Sequence, residues 1–219
     1  IYFGLLGKFS CEDTKEEKDR NSPLLGKLGK KALSFLQYLI VNHGRNISSE
    51  ELIEQFWGGD SSAPSSALRN MLFKVRSILK LMFPDQEGLL LTLSEGYAWS
   101  PEIRLELDTE QMEELCLRAK RAFGEERCRL LGQAVSLYKG DFLSGNDADW
   151  ARTLRQYYQT LYLDACRAVL PLYEKKEQWM ELISVCSQAY TVGFSIEDFT
   201  AYQMQALIAL GQAEQAEEK

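Results

Sequence analysis

Ser65–Met82 reads SSALRNMLFKVRSILKLM. At about 100° per residue, Ala67, Leu68, Met71, Leu72, Val75, Ile78, Leu79 and Met82 share one half of a helical cylinder. Ser66, Arg69, Asn70, Phe73, Lys74, Arg76, Ser77 and Lys80 share the other. The apolar half requires a core. The polar half carries four cations and no anion, in a chain whose formal net charge is −7. A helix with one apolar face and one basic, amide- and hydroxyl-bearing face fits a groove lined by phosphates. A solvated surface helix satisfies the same wheel, so the surrounding chain has to decide.

On the N-terminal side, Asn46–Trp57 (NISSEELIEQFW) predicts a second helix. Ser48 is placed as its N-cap and Glu51 stands three residues on, the spacing of a capping box. Glu50, Glu51 and Glu54 complement the helix dipole there rather than form an acid/base cluster. Before that, Lys30–His43 (KKALSFLQYLIVNH) predicts an amphipathic helix with Gly44 as its C-cap. His43 is the single histidine, which argues against a His-rich zinc site or a His-based triad. Gly58–Pro64 (GGDSSAP) is a turn-rich lead into the basic helix.

On the C-terminal side, Leu89–Thr92 and Tyr97–Trp99 predict two strands joined through Ser94-Glu95-Gly96. At the start of the chain, Ile1–Ser10 (IYFGLLGKFS) predicts a strand, Cys11–Asn21 a charged loop and Ser22–Leu28 a second short strand. Strands, three helices and a hairpin describe a winged helix-turn-helix whose third helix enters the major groove.

A resemblance is carried by ISSEELIEQFWGGD, by the helix ending KVRSILK and by LLLTLSEGYAW. These stretches are similar to the DNA-binding half of OmpR-type regulators, and most of all to the antibiotic-regulator (SARP) type. Ile47, Ser48, Glu50, Glu51, Leu52, Ile53, Glu54, Trp57, Val75, Arg76, Leu79, Gly96 and Tyr97 match the family pattern. The resemblance implies that Trp57 is a core anchor. On the outward half of the helix the expected DNA contacts are Arg69, Asn70, Phe73, Lys74, Arg76, Ser77 and Lys80. Three positions depart from the pattern: Glu95 where the family often has Gly, Ala98 where it often has Arg, and Phe73 where it usually has Ser. A carboxylate gained and a cation lost in the wing weaken phosphate contact. An exposed Phe suits either a thymine methyl or a protein surface.

From Leu107 onward five helices are predicted: 107–123, 125–139, 149–174, 178–192 and 195–210. Pro171 should kink or end the third of these. Asp147 and Asp149 read as helix caps. LYEKKEQWMEL (Leu172–Leu182) and ALIALGQAEQA (Ala206–Ala216) superpose at an offset of 34, the tetratricopeptide period. In the SARP family a tetratricopeptide-like activator domain follows the winged helix. LDTEQMEELCLRAK, LLGQAVSLYKGDFL and the stretch from Asp147 to Trp179 resemble that domain.

The expected architecture is therefore mainly α. A winged helix-turn-helix domain (1–101) with a small N-terminal β-sheet and a C-terminal hairpin wing meets an all-α tetratricopeptide-like domain (102–219) near Pro101. Charge divides the same way. Residues 1–100 carry 12 basic and 12 acidic side chains, and residues 101–219 carry 13 and 20. That asymmetry implies different partners for the two halves. The length allows two ordinary domains. Five scattered cysteines without a C-x-x-C imply reduced, buried thiols and a cytoplasmic setting. No 18-residue apolar run spans a membrane and no leader peptide is recognised. Ile1 in place of an initiating Met reads as part of a longer chain.

A DNA-binding transcriptional activator is the leading expectation. The resemblance implies promoter direct repeats as double-stranded DNA partner, RNA polymerase, and a second copy of the regulator on adjacent repeats. The alternative is a protein-interaction module on the same fold with DNA binding weakened or lost. No Gly-rich phosphate loop, metal-ligand spacing or nucleophile–base pair appears, so neither an enzyme nor a cofactor is expected.

Overall fold

A computed structural model describes residues 1–12, 22–58, 63–194 and 197–212. The chain forms two compact units. One comprises Ile1–Phe3 and Ser10–Glu106, the other Gly4–Phe9 and Leu107–Lys219.

In the first unit a three-stranded sheet has the order β2 (Ser10–Glu12), β1 (Tyr2–Gly4), β5 (Glu106–Leu107). The Ile1 backbone nitrogen donates to Arg104 O at 2.9 Å. Among the described residues four helices follow β2: α1 (Ser22–Leu25), α2 (Lys30–Val41), α3 (Ser49–Trp57) and α4 (Pro64–Met82). The hairpin of β3 (Leu90–Leu93) and β4 (Gly96–Trp99) closes the unit, with Leu90 opposite Trp99 and Leu93 opposite Gly96. Phe3, Phe35, Leu39, Leu52, Val75 and Leu79 are buried in its core. The Trp99 indole N–H donates to Leu39 O at 2.7 Å, tying β4 to α2.

Several local expectations are corrected. Ile1–Ser10 is not one strand: pairing in β1 stops at Gly4, and Leu5 and Leu6 turn into the second unit. The strand expected at 22–28 is the short helix α1. Pro23 is accepted in a first helical turn, and the buried Leu25 and Leu28 stand at helical rather than alternating spacing. Gly44 is not the cap of α2. Asn42 takes that place, with both its backbone N–H and its Nδ2 donating to Tyr38 O. Trp57 is only half-buried. It packs edge-on to Phe35 and Phe56, with the Lys31 ammonium 4.8 Å from its ring centroid. The loop expected over Cys11–Asn21 is a strand at its start, since Cys11 and Glu12 belong to β2, and its remainder, 13–21, lies outside the described residues.

The second unit is built from α5 (Asp108–Arg121), α6 (Gly124–Leu137), α7 (Asp149–Lys175), α8 (Trp179–Thr191) and α9 (Glu197–Ala209). Consecutive helices pack against one another, and the described residues beyond 110 hold no strand. Tyr138 stacks on Tyr162 with centroids 4.3 Å apart, and Phe194 stacks on Tyr162 at 5.6 Å. All five cysteines are free and buried. Burial pushes the Cys166 and Cys186 thiols up to about 12.

Residues 4–9 thread into this unit along its backbone. Leu143 N–H donates to Leu5 O at 2.7 Å, Lys139 N–H to Leu6 O at 3.1 Å and Ser144 N–H to Gly7 O at 3.0 Å. At the start of α5 the buried Asp108 carboxylate accepts from Leu5 N–H at 2.8 and 2.9 Å, Leu6 N–H at 2.9 Å and Thr109 N–H at 2.8 Å. Burial pushes its pKa up, and the bonds from Leu6, Leu5 and Thr109 pull it back.

Pro171 lies inside α7 without ending it. Both Pro171 and Arg167, whose carbonyl loses its helical donor, are exposed. Neither Asp147 nor Asp149 caps α7. The N-cap is Ala148, whose N–H donates to Asn146 Oδ1 at 3.1 Å, and Asp149 pairs with Arg152 at 3.2 Å.

The 34-residue offset reappears as backbone geometry. Gln178 N–H donates to Tyr173 O and Gln212 N–H to Leu207 O, both at 2.9 Å. Glu177 N–H donates to Glu174 O and Gly211 N–H to Ile208 O, both at 3.0 Å. These are Schellman-type ends with a left-handed residue after the helix. Gly211 supplies it at φ 75°, while Glu177 is held at φ 57° with a side chain. Forcing an L-residue into that region costs roughly 1–2 kcal/mol. Glu177 is exposed, so Glu177→Gly should stabilise the chain by about 1 kcal/mol. Urea unfolding of the two proteins side by side measures it; an unchanged or lower midpoint would show that Glu177 makes a contact worth more than the strain.

Candidate nucleic-acid interface

α4 forms because its first position is proline, its apolar residues recur at helical spacing and no β-branched run interrupts it. Its buried residues are Leu68, Leu72, Val75, Ile78, Leu79 and Met82, all of them on the half predicted to face the core. α3 precedes it. The Ser48 hydroxyl accepts from Glu51 N–H at 3.0 Å, so half of the capping box is present. The Glu51 carboxylate does not return to Ser48. It accepts from the Tyr38 hydroxyl at 2.6 Å and from both Arg45 Nη atoms at 2.7 and 2.6 Å. The Arg45 hydrogen bonds hold Glu51 below the usual carboxylate range, and burial together with Glu51 pushes Tyr38 up to about 12.

The seven predicted contact residues do not present themselves alike. Arg69, Asn70, Phe73, Lys74 and Lys80 are exposed on the outer face of α4. Among the described residues Arg69 donates to Ser66 Oγ, at 3.2 Å. Arg76 turns sideways. Its Nε and Nη2 donate to Leu90 O at 3.1 and 3.0 Å, its Nη2 also donates to Thr92 Oγ1 at 2.7 Å, and its Cζ lies 6.0 Å from the Tyr97 ring centroid. Ser77 Oγ donates to Phe73 O at 2.8 Å, back along its own helix. Arg76 therefore fastens the hairpin to α4, and Ser77 is satisfied internally. Sequence pattern missed both roles, because a helical wheel sees which way a residue points and not which carbonyl lies within reach of it.

The hairpin is seated from the other side as well. Ile47 N–H donates to Tyr97 O at 2.8 Å and Tyr97 N–H to Ile47 O at 2.9 Å. Gly96, at φ 152°, lies directly against Ile47. Glu95 is exposed at the turn, and no Lys or Arg occurs between Leu89 and Ser100. Among the described residues none of the four α4 cations makes an ion pair. Among the described residues the outer face of α4 is thus a strip of unpaired positive charge beside a hairpin without cations. Among the described residues no His/Cys/Asp/Glu cluster could hold a metal ion, and no helix is long and apolar enough to cross a membrane.

Comparison with known proteins places this geometry. The bacterial transcriptional activator domain model matches residues 107–219, the whole helical half beyond β5. The regulatory protein AfsR of Streptomyces coelicolor is 29% identical over 159 residues, covering 71% of this chain and 15% of that protein. The AfsR of Streptomyces griseus is 29% identical over 140 residues, covering 62% and 14%. The chain thus corresponds to about one seventh of the length of these relatives. Among solved structures, EmbR of Mycobacterium tuberculosis, in complex with a low-affinity phosphopeptide, matches with a TM-score of 0.68 at 17% identity, over 98% of this chain and 56% of that one. EmbR shares the fold: a winged helix with a following helical activator domain. Through residues 107–219 the chain belongs to the bacterial transcriptional activator domain family.

Proposed function

We propose that this chain is a DNA-binding transcriptional activator that reads promoter direct repeats with α4 and engages RNA polymerase through its helical unit. The observation that carries the reading is the outer face of α4, where Arg69, Lys74 and Lys80 are exposed with no carboxylate on the helix. Exposed cations at the edges clamp phosphates while the centre meets base edges. Arg69 and Asn70, toward the N-terminus of the helix, are the base readers, and Lys80 is a phosphate contact. Lys74 adds charge. Arg76 contributes by holding the wing rather than by touching DNA, and Ser77 stays on its own backbone. With so few cations on one copy, useful affinity comes from two copies on adjacent half-sites. The cytoplasm is the compartment such a regulator works in.

One observation favours the alternative of a protein-interaction module: the wing offers Glu95 and no cation. The two readings separate in a titration of the full chain against candidate promoter duplexes and random duplex at two salt concentrations. Arg69→Ala should cost about 1–3 kcal/mol and relax preference at one base pair. Lys80→Ala should weaken all duplexes alike and reduce the salt slope by about one. Arg76→Ala should reduce the slope by less than Lys80→Ala does, since its guanidinium keeps its charge but is turned onto Leu90 and Thr92 of the hairpin. If promoter and random duplex bind equally, or neither binds at low salt, the interaction module is the correct reading.

A further inference from the structure

Phe73 is 74% exposed, at the middle of the outer face of α4. Its neighbours one turn away on that face are Arg69, Asn70, Arg76 and Ser77. Arg76 Nε and Nη2 donate to the hairpin and Ser77 Oγ donates to Phe73 O, so these donors are already engaged on the C-terminal side of the ring. Toward the N-terminus Arg69 and Asn70 remain exposed, and Lys74 and Lys80 flank the strip. The core does not need this ring, because Leu72 and Val75 close the inner side of the same turn. The strip thus presents one large apolar surface framed by cations and an amide. A ligand that fits it is anionic at its edges and offers one small apolar group at its centre. On the major-groove edges of B-DNA the apolar group is the 5-methyl of thymine.

We infer that Phe73 is a specificity-determining residue whose ring covers a thymine 5-methyl in each half-site. The inference rests on α4 reading DNA and names the base feature read at its centre. With Asn70 one turn before it suited to adenine, the half-site contains an A·T-rich step under this part of the helix.

The test starts from duplexes selected out of a randomised pool by the full wild-type chain. Each thymine of the selected site is then replaced singly by deoxyuridine, which pairs identically and lacks the methyl. One position should weaken wild-type binding about fourfold, the worth of one buried methyl. Phe73→Ala should bind the unmodified site about tenfold more weakly and be indifferent to deoxyuridine at that position. Phe73→Leu, still apolar, should retain part of the sensitivity. Because the side chain is exposed, all three proteins should melt together. Wild type that prefers its selected site yet ignores every deoxyuridine overturns the inference and leaves DNA reading intact. So does a Phe73→Ala protein as methyl-sensitive as wild type. Failure to select any duplex removes the inference and the DNA reading together.

Discussion

Gly96→Ala should detach the wing and unfold most of the first unit. A Cβ at this position would lie 2.8 Å from Ile47 C and 2.9 Å from Asn46 Oδ1, and closer still to Ile47 O. None of these can yield cheaply. Ile47 is held by paired hydrogen bonds to Tyr97, the residue next to Gly96, so moving it breaks both. The backbone at φ 152° adds strain for any residue with a side chain. Relieving the overlap requires the hairpin to shift, which pulls on the Trp99 bond to Leu39 O and on the Arg76 clamp. The cost should be about 4 kcal/mol or more, the range reserved for substitutions that break a specific backbone feature. Urea unfolding followed by far-ultraviolet circular dichroism measures it. A transition within 1 kcal/mol of wild type would mean that the contact between the hairpin and residues 46–47 is not what seats the wing. The same variant should lose duplex binding more completely than Arg69→Ala does, since it displaces the whole α4–hairpin surface.

The second large effect is expected at Asp108. Its carboxylate is the acceptor for the backbone N–H groups of Leu5, Leu6 and Thr109, all in buried surroundings. Asp108→Ala leaves three buried donors without a partner, each worth about 1–3 kcal/mol when stranded. Some will recover water as residues 4–9 loosen, so the net loss should be about 3–5 kcal/mol. Asp108→Asn should lose less, because one oxygen still accepts, although its NH2 faces donors. Amide hydrogen exchange gives a second readout. Leu5 and Leu6 should exchange faster in both variants, whereas amides of α8 should change only through global stability. Equal protection of Leu5 and Leu6 in Asp108→Ala and wild type would rule out the carboxylate as their anchor.

Local pattern decided a large part of this protein. The period of Ser65–Met82 set which half of α4 faces the core, because burial on one side of a 3.6-residue helix leaves a mark in every turn. The Ser48 cap, the Leu90–Trp99 hairpin and the 34-residue spacing of helix ends are likewise short-range signals, each written within a few residues of where it acts. The exposed positions of Arg69, Asn70, Phe73, Lys74 and Lys80 followed from the same wheel. What the chain could not announce are bonds between residues far apart in sequence. Asp108 and Leu5 are 103 positions apart, and nothing in IYFGLLGKFS says that its middle leaves the first unit for the second. Arg76 looked like its fellow cations on the wheel, and only the approach of Leu90 and Thr92 turned it into a clamp. Trp57, an anchor by pattern, is half-buried beside Phe35 and Phe56, a degree of burial that no local pattern states. Periodicity reports the direction of a side chain. Which donor meets which acceptor is settled by tertiary packing, where a buried polar group must find its partner wherever the fold brings one.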